Sequence, residues 1–94
     1  MQPEHAESET AARWVARFAA ELGVSGVSLE MQADVLAIAR DVAHGAERRY
    51  APLAAFIAGR HVEARTRAGV DGATALREVS DAVTRVLGDR DSTT

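Results

Sequence analysis

Large apolar side chains return every three or four positions along most of this chain. That period belongs to the α-helix, whereas a half-buried strand repeats every second residue. Four segments carry it. In the first, from about Ser8 to Leu22, Ala11, Trp14, Val15, Phe18 and Leu22 fall within about 100° of the helical wheel, and Gly23 supplies a left-handed stop. The second starts from Ser28 as N-cap and runs to about Glu47, with Met31, Val35, Ile38, Ala39, Val42 and Ala46 as its apolar stripe. Arg40, His44 and Arg48 share the opposite side. Pro52 opens the third, since proline suits the first helical turn, and Leu53, Phe56 and Ile57 give it an apolar start. Beyond Gly59 that pattern weakens, because Arg60 falls in the stripe and Val62 is the one large apolar residue left. Asp71 caps a fourth helix expected to end before Gly88, with Leu76, Val79, Val83 and Val86 at three- and four-residue steps.

The expected fold class is therefore all-α, a compact three- to four-helix bundle with short connections and antiparallel neighbours. One helical domain is expected over residues 8–88. Polar, disordered tails are expected at 1–7 and 89–94. Trp14, Phe18, Val35, Ile38, Val42, Leu53, Phe56, Leu76, Val79 and Val83 are the expected core. Ninety-four residues are about one small domain. Much of the apolar content is alanine and only Trp14, Phe18, Tyr50 and Phe56 are aromatic, so the core must be thin.

Composition also removes whole classes of chemistry. The chain has no cysteine, which excludes disulfides, thiolate nucleophiles and cysteine zinc sites. His5, His44 and His61 have no metal-binding spacing, so no metal is expected. No glycine-rich phosphate loop and no nucleophile elbow is present. Paired carboxylates occur on helix faces that should be solvated. No catalytic residue and no cofactor is expected, and the chain is read as not an enzyme. The start of the sequence is acidic and lacks the apolar run of a signal peptide, and no stretch approaches the ~20 apolar residues that span a bilayer. A cytoplasmic location is expected.

The net charge of −3 hides an uneven distribution. Residues 1–39 hold six acids against Arg13 and Arg17, whereas 40–67 hold six arginines against Asp41, Glu47 and Glu63. A basic middle can be an anion-binding face, or a set of arginines solvating helix ends. Arg60, Arg65 and Arg67 could follow a nucleic-acid groove, but the acidic balance of the whole chain opposes a helical DNA-binding module. The junction of the second and third helices is the more informative place. Arg48 and Arg49 stand both at a helix C-terminus, where cations offset the dipole, and just before a helix N-terminus, which attracts anions. Arg40, His44, Arg48, Arg49, Tyr50 and Pro52 are the candidate residues for a ligand or a partner there, with a phosphate-bearing small molecule as one possible occupant. The bland alternative is a junction in which Arg48 satisfies terminal carbonyls and Pro52 starts a helix.

The same stretch carries a resemblance. Val42-Ala43-His44-Gly45 followed by Arg48, then Ala51-Pro52-Leu53 and Gly59, resembles a family of short actinobacterial helical domains of unknown function. They occur alone or appended to molybdenum cofactor guanylyltransferases, and are associated with molybdopterin guanine dinucleotide biosynthesis. The resemblance covers roughly residues 11–60 and implies His44, Arg48 and Pro52 as signature positions. Where the family has proline and alanine, this chain has Arg49 and Tyr50, and it continues through a fourth helix where the family tends to end. The resemblance implies a non-catalytic accessory or protein-interaction domain. Its partner would be a guanylyltransferase or related enzyme, or a second copy. No membrane is expected, and nucleic acid is disfavoured.

Overall fold

The computed structural model describes residues 10–92, with side chains placed through Asp89. Every regular element among them is helical. α1 spans Ala11–Leu22 and α2 spans Leu29–Gly45. A short 3-10 turn at Arg48–Tyr50 leads directly into α3, Ala51–Arg67, and α4 spans Gly72–Ser92. The all-α class is as the periodicity predicts. The expected tail at 1–7 lies outside the described residues, as do 93–94.

The helix ends follow from local chemistry. Thr10 caps α1, its Oγ1 accepting from the Arg13 amide at 3.1 Å, two residues after the expected start. At the other end Gly23 takes φ 71°, and the amides of Gly23 and Val24 bond back to Ala20 and Ala19. This is a Schellman close, which needs a residue free of the Cβ penalty. Ser28 caps α2 through the Met31 amide at 3.1 Å. Pro52 lies in the first turn of α3. The far end of α3 repeats the Schellman close at Gly69, φ 93°, whose amide and that of Val70 reach Thr66 and Arg65. Asp71 caps α4 by accepting from the Thr74 amide at 2.7 Å, and that backbone bond holds its carboxyl below the usual carboxylate range.

Two expected boundaries move. α2 ends at Gly45 rather than about Glu47. α4 does not stop before Gly88 but runs on to Ser92; Gly88 lies inside the helix, so part of the expected tail at 89–94 is helical. Glycine only weakens a helix interior, by about 0.5–1 kcal/mol, and does not by itself end it.

The chain divides into two compact units between Gln32 and Ala33, inside the first turn of α2. In the first unit Ala19 is buried, while Trp14 and Phe18 stack on each other with ring centroids 5.3 Å apart and remain 54% and 52% exposed. In the second unit α3 and α4 lie alongside each other, joined by residues 68–71. Its buried residues are Ile38, Val42, Ala58, Ala75 and Leu76.

The expected core is corrected here. Ile38, Val42 and Leu76 are buried, and Val35, Val79 and Val83 are half-buried. Trp14, Phe18, Leu53 and Phe56 are exposed instead, Phe56 by 69%. The physical reason is the alanine content. Ala58 of α3 and Ala75 of α4 take buried positions with small side chains, and Leu53 and Phe56 of α3 are left exposed.

Candidate functional site

In the second unit a groove of about 540 Å³ opens between α3 and α4. Ala54, Ala58 and Ala82 contribute short side chains, while Ile57, Val79, Val83 and Val86 contribute longer ones. The concavity follows from that difference in size. Val42 and Ala46 of α2 line it as well, beside Leu87. Gly45 allows that approach, since a Cβ at this position would come within 2.7 Å of the Leu87 side chain. The Gly45 of the His44-Gly45 pair therefore has a packing role, letting α4 come close to the end of α2.

Polar groups gather at one end of the groove. His61 and Arg65, one turn apart on α3, both reach Glu78 of α4. His61 Nε2 lies 2.8 Å from Glu78 Oε1. Arg65 donates through Nε to Oε1 and through a terminal nitrogen to Oε2, both at 3.0 Å, which is the bidentate fork favoured by guanidinium and carboxylate. The bond from Arg65, then that from His61, holds the Glu78 carboxyl below the usual carboxylate range, and the Arg65 guanidinium is raised above its ordinary value by the same partner. All three side chains are about 40% exposed, so the cluster fastens α3 to α4 at the surface. Tyr50 supplies a hydroxyl near the opposite end.

The six residues singled out by sequence are only partly assembled. Arg49 and Tyr50 come together, the guanidinium carbon 5.5 Å from the ring centroid, and Arg49 also bonds Glu47 at 3.0 Å. Arg40 lies 4.0 Å from Asp41. His44, Arg48 and Pro52 are exposed, and among the described residues the side chains of His44 and Arg48 enter no hydrogen bond or ion pair. Arg48 thus makes no bond to the terminal carbonyls of α2. Of these six residues Tyr50 alone lines the groove. Of the arginines considered for a nucleic-acid groove, Arg65 is held by Glu78 and Arg67 by Glu63 at 3.0 Å, leaving Arg60.

Sequence reasoning missed the His61–Arg65–Glu78 cluster. Its signal was faint but present: a histidine and an arginine one turn apart on α3, facing a helix that returns after a short connection.

Among the described residues no group of three or more histidine or acidic side chains could hold a metal ion, and no helix is long and apolar enough to cross a membrane. A domain of unknown function, DUF6457, matches residues 6–94. The match takes in α4, so the fourth helix is part of the family's domain, where the resemblance had it lying past the usual end. No curated protein and no solved structure matches the chain.

Proposed function

The chain belongs to the family of this domain of unknown function, DUF6457, and we propose that it serves there as a non-catalytic protein-interaction domain. One observation carries the reading: in α1 and α3 the buried residues are Ala19 and Ala58, while the large apolar side chains of those helices stand outside. Among the described residues eleven large hydrophobic ones are exposed, including Trp14, Phe18, Leu53, Phe56 and Ile57. Single exposed apolar residues are ordinary, but contiguous ones mark surfaces that another molecule covers. Leu53, Phe56 and Ile57 fall on adjacent turns of one helix, beside an apolar groove.

The partner we propose is a molybdenum cofactor guanylyltransferase or a related enzyme, on the strength of the resemblance around His44, Arg48 and Pro52. Titration of the purified chain into such an enzyme, followed by calorimetry, tests this. Saturable binding that is lost in a Leu53→Ser, Phe56→Ser variant with unchanged helicity supports it. Heat changes no larger than dilution would remove this partner.

A phosphate-holding junction draws less support. Arg49 is engaged with Glu47 and Tyr50, which leaves Arg48 as the free guanidinium beside the start of α3.

A further inference from the structure

We infer that the α3–α4 groove seats an amphipathic helix from a partner protein, one that presents large apolar side chains along a stripe with carboxylates beside it. This rests on reading the domain as an interaction module and names what the module takes.

Shape is the first reason. From Tyr50, at the end of the 3-10 turn, to His61 of α3 the groove runs about 16 Å, at about 1.5 Å per residue. That is about three turns, enough for the two turns over which a helix presents anchors at i, i+4 and i+7. The alanines at 54, 58 and 82 leave depth for those anchors, and the exposed Leu53, next to Ile57 on the helix surface, extends the apolar surface on one side.

Charge is the second. The carboxylates that border this face are already neutralised from within. Glu47 is paired with Arg49, Glu63 with Arg67, and Glu78 with both Arg65 and His61. Two guanidinium groups on the α3 side of the groove have no partner among the described residues: Arg48, next to the Tyr50 end, and Arg60, which lies on α3 beside Leu53 and Ile57. Burying such a cation under a purely apolar partner leaves it unpaired, which is costly. An incoming Asp or Glu removes that cost and selects the partner by charge. A second copy of this chain fits less well, because a two-fold contact through α3 brings Arg60 towards its own counterpart. A nucleic acid offers negative charge but no side chains for the groove.

The test is to pan a random-peptide display library against the full chain. We expect enrichment of sequences with large apolar residues at i, i+4 and i+7 flanked by Asp or Glu. A synthetic peptide of the enriched sequence should become helical on binding and shift amide resonances in residues 50–61 and 79–87. Arg60→Glu and Leu53→Ser, both at exposed positions, should each weaken that peptide at least tenfold without lowering helicity. Enrichment of basic or charge-indifferent sequences overturns the proposal. Peptides that instead shift α1 and lose affinity in Trp14→Ala overturn the groove while leaving the interaction domain standing, and an absence of any enrichment overturns both. Sedimentation that reveals a dimer, dispersed by the selected peptide, places a second copy in the groove and equally overturns the proposal.

Discussion

Glu78 is the residue on which the register of α3 against α4 depends most directly. Its carboxylate receives Arg65 and His61 from successive turns of the facing helix, so a slip by one turn would leave Arg65 or His61 without it. Because these bonds depress its pKa in the folded chain, the folded state binds fewer protons at Glu78 than the unfolded state does. The stabilisation is therefore complete above the ordinary glutamate value of about 4.3 and is lost as pH falls through the lowered folded value. Thermal melts of Glu78→Gln should lie below those of the parent chain near neutral pH, and the two should converge on acidification. A gap that stays constant into acid would mean that the glutamate acts by packing and not by charge. Arg65→Lys should lie between the two, since an ammonium keeps the charge and loses the fork. The cluster also marks a limit of sequence reading. His61 and Arg65 announce a shared face, but Glu78 lies 17 and 13 residues away from them, and only the closing of the turn at Gly69 makes it their neighbour.

At the scale of the helices, the caps were legible and the core only in part: Ile38, Val42 and Leu76 are buried as expected, whereas Trp14, Phe18, Leu53 and Phe56 are not. Thr10 aside, the stops and starts at Gly23, Ser28, Pro52 and Asp71 stand where their side chains and backbone freedom require. Each is a local matter, settled within about one turn. Periodicity, by contrast, identifies which face of a helix is apolar without identifying which face is covered. In α3 the rule that the largest residues lie inside failed, because Ala58 gives a closer approach than Phe56 would. Stability should follow the observed burial. Leu76→Ala should cost about 2–5 kcal/mol in urea denaturation, whereas Phe56→Ala, expected from periodicity to be ruinous, should move stability by no more than about 0.5 kcal/mol. Gly88 has open space around its Cα and sits inside α4. Gly88→Ala should therefore raise stability by about 0.5–1 kcal/mol, and a loss there would indicate that the helix ends earlier than Ser92.

For the whole molecule, a folded protein with this much apolar surface outside should bind a hydrophobic dye while keeping its near-ultraviolet circular dichroism, unlike a molten state, which binds dye after losing it. In Leu53→Ser, Phe56→Ser the dye signal should fall with the dichroism unchanged; an undiminished signal would locate the surface elsewhere. The groove itself could not be read from the sequence, since only the folding of α3 against α4 places residues 54, 58 and 82 on one seam. That seam has an evolutionary meaning as well. In α3 the buried position is held by the small Ala58, and recognition is carried by large exposed residues whose replacement leaves the fold intact. A lineage can therefore retarget such a domain by exchanging a handful of surface residues, at Leu53, Phe56 or Arg60, without first acquiring stability to spare.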